Sequence, residues 1–402
     1  MPSVRSQLFA EGRAKVLAFC WLGWLFDFYD LVLFTFVKNQ IADELQLDVN
    51  GAIAWVDGWT FLAAAVGGFA IGRIADRTGR RQALALSILC YSVGAGMTAA
   101  ANGFWSLLLA RVVTGLGVGG EWGIGHAIVA ETYPAHLRGR AAGILQAATP
   151  LAMALAAAVG CLIAPTTGWR VCFLASALPA LLVFFVRRAV PAAALASRAR
   201  ESLVALFAPA HRRASWSLLA LLVVHMAGFW SVYSWMPLAL GREHKLPPAR
   251  IFEYQLTVNL TQCLADVAFG FLADRFGRRR VFAGLCLLFA ITILGVAWRY
   301  DAIARDYAVF TWAMAVAGFG TGTWSAFGPL FAANYPEHLR ASAASGFYNL
   351  ARGTQLLMMP LLGWLATGTG TYAGGLFVGA AMGVFSAVLI YTVPESRRPP
   401  AT

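Results

Sequence analysis

Stretches of about 20 apolar residues recur along the whole chain, and no other feature of the sequence restricts the fold so strongly. A helix needs about 20 such residues to cross the hydrocarbon core of a bilayer. Twelve candidate spans read at 16–37, 53–73, 82–101, 105–131, 139–163, 168–187, 216–240, 252–273, 281–298, 307–331, 342–366 and 374–393. With 59% hydrophobic and 12% charged residues, too little polar surface remains to cover a water-soluble globule, and a disordered chain needs the opposite balance. The expectation is an all-α membrane protein of twelve transmembrane helices joined by short loops. The first apolar stretch runs from Val16 past Phe36 with no small-residue cleavage site, so it reads as a span and not a removable signal. The longest polar interval, 188–215, reads as a linker between two six-helix domains, 1–187 and 216–402.

The net charge of +12 has a membrane explanation. If the N-terminus is cytoplasmic, 22 of the 31 Lys and Arg residues fall in inner segments, seven in outer segments, and Arg111 and Arg352 inside spans. Cytoplasmic loops collect such residues, so both termini are expected inside and no nucleic acid is needed as a partner. The six cysteines lie within apolar runs with no CxxC spacing, which argues against a disulfide framework or a metal site. His126 has no neighbouring ligand at zinc spacing.

The two halves repeat each other. Gly72-Arg-Ile-Ala-Asp76-Arg77-Thr-Gly79-Arg80-Arg81 recurs as Gly270-Phe-Leu-Ala-Asp274-Arg275-Phe-Gly277-Arg278-Arg279, 198 residues later. Tyr133-Pro134-Ala-His136-Leu137-Arg138 recurs as Tyr335-Pro336-Glu-His338-Leu339-Arg340, 202 residues later. Each motif follows the second or the fourth span of its half. Two parallel repeats of six spans are related by a pseudo-two-fold axis along the membrane normal.

With these motifs the chain resembles the major facilitator superfamily, whose signature loop after the second span matches residues 72–81, with its usual second copy at 270–279. Two further features resemble the organic acid:proton symporters, including the sialate, monocarboxylate and aromatic acid branches. They are Asp27-Phe-Tyr-Asp30 in the first span and Gly119-Gly120-Glu121-Trp122 in the fourth. The polar seventh-span signature of lactate-type carriers is reduced here to His225. The resemblance implies two domains that rock about a central site, and an organic anion imported with protons as the coupling ion and no other cofactor.

The residues themselves support a chemical reading. Charges inside a membrane span are expensive and face a cavity or a partner. Asp27 and Asp30 are three apart and share a helix face; two close carboxylates resist double ionisation, which suits a proton site. The competing role is a structural carboxylate neutralised by arginine. Arg111 is at a depth from which it reaches Asp30, either as a static bridge or as part of coupling. Arg352 presents a planar fork that matches a carboxylate, so it is the candidate anion site unless it pairs permanently with Glu121. Substrate contacts are expected from His225, Asn259, Gln262, Tyr348 and Asn349, although such groups also bond helices together. Asp266 reads as a partner for the basic loop. Trp230, Tyr233, Trp235, Trp312 and Trp324 are candidates for a cavity wall or for interfacial belts.

Asp76, Arg77, Arg80, Arg81, Glu131 and Arg138, with Asp274, Arg275 and Arg278, form an expected cytoplasmic gate of mixed charge. Gly115-Leu-Gly117-Val-Gly119-Gly120 has the G-x-G-x-x-G spacing of a dinucleotide site. It lies inside an apolar helix and not between strand and helix, and there small residues serve helix packing. Nothing resembles a nucleophile–base or metal constellation, so an enzyme is not expected. The sequence reads as a monomeric symporter for a small carboxylate in a bacterial cytoplasmic membrane. The alternatives are a proton-coupled exporter of drugs or organic cations and a sugar or polyol porter.

Overall fold

The computed structural model describes residues 11–134, 137, 141, 144–181 and 203–394. Each apolar stretch folds as a helical run. In the first half α1 is Glu11–Leu45. α2 is Ala54–Thr78, preceded by a π turn at Val49–Ile53 whose cap, Asp48, accepts from the Asn50 and Gly51 N–H groups. α3 is Arg80–Ala99 and α4 is Phe104–Thr132. α5 is Ala148–Ala158, prolonged by the π turn Val159–Ile163 and the short helix Ala164–Thr167, and α6 is Trp169–Ser176.

In the second half α7 is Arg212–Tyr233, resuming as Met236–Arg242. α8 is Pro248–Phe276 and α9 is Arg278–Trp298. α10 is Tyr307–Gly320, tightened to 3-10 geometry at Thr321–Ala326 before Phe327–Asn334. α11 is Glu337–Gly353, broken at Thr354 from its continuation Gln355–Thr369, and α12 is Ala373–Leu389.

Nine of these runs, among the described residues, are long and apolar enough to cross a membrane without interruption. Two of the other three have physical reasons for falling short, and the third is described only in part. The run of α6 is described only to Leu181. α10 is tightened in its middle, and α11 carries Arg340, Asn349 and Arg352 before its break. Boundaries also move. The first helix extends to Leu45, beyond the expected end at 37, and the seventh begins at Arg212. A 3-10 turn, Leu203–Phe207, occupies part of the interval read as linker, and residues 188–202 lie outside the described residues.

Contacts divide the chain into two units, Met1–Ala199 with Gln355–Gly363, and Arg200–Thr354 with Trp364–Thr402. In the first unit α4 backs onto two helices through its glycines. A Cβ at Gly119 would fall 1.7 Å from the Ala64 carbonyl oxygen of α2, and one at Gly117 would fall 2.4 Å from the Tyr91 nitrogen of α3. The dinucleotide-like spacing is therefore a packing surface. In the second unit α10 does the same: a Cβ at Gly322 would fall 2.4 Å from that of Ala265 on α8, and one at Gly320 2.8 Å from Phe289 on α9.

The sequence repeat reappears as repeated contacts inside each unit. Tyr133 Oη donates to the Arg13 carbonyl at 3.1 Å, and 202 residues later Tyr335 Oη lies 2.6 Å from Ser215 Oγ. Each joins the end of its unit's fourth helix to the start of the first. At the other ends, Glu44 accepts from Trp169 Nε1 at 2.6 Å and Arg170 Nε at 2.8 Å, while Glu243 accepts from the Tyr372 N–H at 2.8 Å. Each joins the end of a first helix to the start of a sixth. The tight turns agree: Gly79 and Gly277 sit at φ +102° and +89°, and Gly168 and Gly370 at +85° and +69°, a region that favours glycine.

Candidate functional site

The first unit buries ionisable groups along α1, α2 and α4. Asp27 and Asp30 are both fully buried. Arg111 Nη1 on α4 donates to Asp30 Oδ2 at 2.8 Å, and neither side chain is exposed. The guanidinium lies over the rings of Phe34 and Phe173 at 4.8 and 5.6 Å. The contact is single-pronged: Asp30 Oδ1 and Arg111 Nε and Nη2 are buried without hydrogen-bond partners among the described residues. A buried pair with excellent geometry offsets the cost of taking its charges out of water; one that leaves three polar atoms unmatched does so poorly.

Glu121 is 1% exposed, and neither carboxyl oxygen has a hydrogen-bond partner among the described residues. Its carboxyl group rests against Gly23 of α1, where an added Cβ would fall 1.9 Å from Oε1. Glycine is what lets this carboxyl group reach the first helix. Lys38 Nζ and Asp57 Oδ2 form a second buried pair at 2.5 Å, which sequence reasoning missed. Lys38 fell one residue beyond the expected end of the first span and was counted with the outer basic residues. Asp57 was passed over inside the second span. An acid and a base on consecutive spans near the same outer boundary were the available signal.

The second unit presents a different arrangement. Arg352 on α11 is 2% exposed; its Nη2 donates to Tyr348 Oη at 3.3 Å, and the guanidinium stacks over the Tyr348 ring at 4.9 Å. Its Nη1 is buried without a hydrogen-bond partner among the described residues, and no carboxylate of its own unit pairs with it there. From Tyr348 the rings continue. Trp324 lies 6.4 Å from Tyr348, Phe229 lies 5.6 Å from Trp324, and Tyr233 stacks on Phe229 at 4.1 Å. Tyr233 Oη donates to Gln262 Oε1 of α8 at 3.5 Å. A cation, a wall of aromatic rings and a polar helix face thus follow in sequence within one unit.

His225 packs on this wall, 4.8 Å from Trp324, and its Nε2 lies 3.1 Å from Thr323 Oγ1. A small pocket opens beside His225, Phe229 and Thr321. Asn259 is buried and accepts from Gln255 Nε2 at 3.0 Å; Asn349 donates to the Ser345 carbonyl at 3.0 Å. Of the candidate aromatics, Trp230 and Trp235 are buried, while Trp312 is 73% exposed and belongs to the outer surface of its unit. The expected partnership of Asp266 with the basic loop is not made among the described residues, where Asp266 Oδ1 is buried without a hydrogen-bond partner.

The loop residues are less organised. Arg77, Asp274, Arg275 and Arg278 are exposed and form no ion pair among the described residues. Arg80 and Arg81, at the first turn of α3, are half-buried. Arg138 and the side chains of Asp76 and Glu131 lie outside the described residues. Sequence reasoning also passed over Gln255.

Comparison with known proteins agrees with this architecture. A family model described as Major Facilitator Superfamily matches residues 20–258 and 255–402. The chain is 28% identical over 410 residues, covering 96% of its length and 91% of the relative's, to a Cupriavidus pinatubonensis protein named "Probable 4-methylmuconolactone transporter". It is also 28% identical to the 3-(3-hydroxy-phenyl)propionate transporter of Escherichia coli, covering 95% of this chain and 94% of that one. Among solved structures, the xylose transporter XylE from E. coli superposes with a TM-score of 0.76 at 17% identity, over 96% of this chain and 99% of the other.

Proposed function

The chain belongs to the Major Facilitator Superfamily, a family of membrane transporters and not enzymes, and from that premise we propose that it is a proton-coupled symporter importing a small organic anion by alternating access. The observation that carries the reading is Arg352: a buried guanidinium with an open Nη1, at the end of an aromatic wall. An uncompensated cation in an apolar span calls for an anionic partner, and a carboxylate fits its planar fork. The rings of Tyr348, Trp324 and Phe229 suit a carboxylate with a flat, apolar body. His225, Asn259, Gln262 and Asn349 supply the remaining polar contacts. The names of the two relatives, a probable 4-methylmuconolactone transporter and a 3-(3-hydroxy-phenyl)propionate transporter, support a small organic acid as the substrate.

Protons are carried in the first unit. Glu121 has no hydrogen-bond partner among the described residues, and an ionised carboxylate left that way inside a membrane is costly. Asp27 and the single-pronged Asp30–Arg111 pair complete the relay, because a pair with unmatched valences exchanges partners readily. Domains 1–187 and 216–402, with 188–215 between them, rock about the site. Asp76, Arg77, Arg80, Arg81, Glu131, Arg138, Asp274, Arg275 and Arg278 gate its cytoplasmic end. The excess of inner basic residues supports cytoplasmic termini in a bacterial cytoplasmic membrane, and a monomer suffices for the cycle. Arg352 disfavours a carrier of organic cations, which it would repel.

The test is equilibrium binding of radiolabelled benzoate, tetraphenylphosphonium and xylose to the purified carrier. Benzoate is expected to bind and the other two are not. Binding of the cation or the sugar with no binding of benzoate overturns the proposal.

A further inference from the structure

Helix α8 carries more polarity along its buried face than a carboxylate site needs. Gln255, Asn259, Gln262 and Asp266 follow at intervals of four, three and four residues, which holds them on one side of a helix. The first three are 1%, 3% and 7% exposed. Gln255 Nε2 donates to Asn259 Oδ1 at 3.0 Å. That bond uses one valence of each amide and leaves Gln255 Oε1 and Asn259 Nδ2 buried with no partner among the described residues. Turning both amides over leaves the same complement, one open C=O beside one open NH2. Buried polar groups are nearly always matched, so a donor and an acceptor left open side by side point to a ligand group that fills both roles.

The same face joins the aromatic wall, since Tyr233 Oη reaches Gln262 and its ring stacks on Phe229. Arg352 closes the other end through Tyr348 and Trp324. Resting on the carboxylate reading above, we propose that the Gln255–Asn259 amide pair binds a second polar substituent of the substrate. The substituent is a hydroxyl, which donates to the open carbonyl and accepts from the open amide nitrogen. Gln255 is then a specificity-determining residue. A site built to hydrogen-bond a hydroxyl discriminates against the analogue lacking it, because the amides stay unmatched when that analogue binds.

The test compares benzoate with 2-, 3- and 4-hydroxybenzoate in equilibrium binding to the full-length carrier. It uses the parent, Gln255→Met and Gln255→Asn, each with its thermal unfolding recorded. The parent is expected to bind at least one hydroxylated acid about tenfold more tightly than benzoate. Gln255→Met, similar in shape and without hydrogen-bonding groups, is expected to bring that ratio near one. Gln255→Asn, with a shorter amide, falls between the two and decides the matter if the methionine variant does not fold. A ratio unchanged in the variants, or no preference in the parent, overturns the amide assignment. Loss of binding of both acids in Arg352→Ala then shows that the anion site still stands. A parent that binds none of the four acids overturns both.

Discussion

The two units share a scaffold and differ in what they bury. At an offset of 202, Tyr133 matches Tyr335, Trp122 matches Trp324, and Glu121 matches Thr323. In the first unit that position holds an acid pressed against Gly23, with no hydrogen-bond partner among the described residues. In the second it holds a hydroxyl 3.1 Å from His225. The first unit's other buried charges are Asp27 and the ion pairs Asp30–Arg111 and Lys38–Asp57. The second unit leaves its buried cation open, beside rings and half-matched amides. Repeated packing with unlike interiors is the contrast on which the proposed division of labour rests, protons in one half and the organic anion in the other.

Stability offers the largest contrast. Arg111→Met strands the Asp30 carboxylate in the interior, and breaking a buried pair on one side costs about 3–5 kcal/mol. Asp30→Asn combined with Arg111→Met is expected to recover most of that loss. Arg352→Met strands no carboxylate in its own unit and is expected to leave stability near that of the parent. Unfolding midpoints in a mild detergent measure all three. Equal damage from the two arginine replacements breaks the comparison.

Binding gives the next largest effect. Arg352→Ala is expected to weaken benzoate binding about a hundredfold, and Arg352→Lys about tenfold, because lysine keeps the charge and loses the fork. Titration with labelled benzoate reads both. Retained affinity in Arg352→Ala places the anion elsewhere.

The smallest effect lies outside the spanning segments. His244 packs on Tyr300 at 4.6 Å, and its Nε2 is buried with no hydrogen-bond partner among the described residues. Burial holds its imidazole below the ordinary value of 6.5, against the opposing pull of Glu243 and Asp301. The folded protein therefore resists a proton that the unfolded chain accepts. The stabilisation is complete above about pH 6.5 and is lost as the pH falls below it. His244→Phe is expected to flatten stability between pH 7.5 and 5.5. The corresponding turn after α1, Gln46-Leu47-Asp48, has no histidine. An unchanged slope assigns the pH dependence to another group.

Much of this was legible in the sequence. Apolar length marked the helices, and paired motifs located Gly79 and Gly277 at the turns that need a positive φ. The Asp30–Arg111 pair was within reach because charges in spans are few and their depths can be counted. The rest depends on how helices meet. Nothing local to Gly23 announces that Glu121 will rest on it. The unmatched valences of Gln255 and Asn259 exist only once both amides are placed. Lys38 and Asp57 were obscured by a helix that runs eight residues past its expected end, to Leu45. Asp266 was expected to meet the basic loop and instead lies on the buried polar line of α8.

Benzoate uptake into proteoliposomes under an imposed pH gradient tests the division of labour most directly. The parent is expected to concentrate benzoate inside when the interior is alkaline, and to lose that ability with a protonophore. Glu121→Gln should still exchange labelled for unlabelled benzoate but no longer accumulate it, whereas Arg352→Ala should do neither. Accumulation by Glu121→Gln at the parent's level, or parent uptake indifferent to the gradient, would contradict the account.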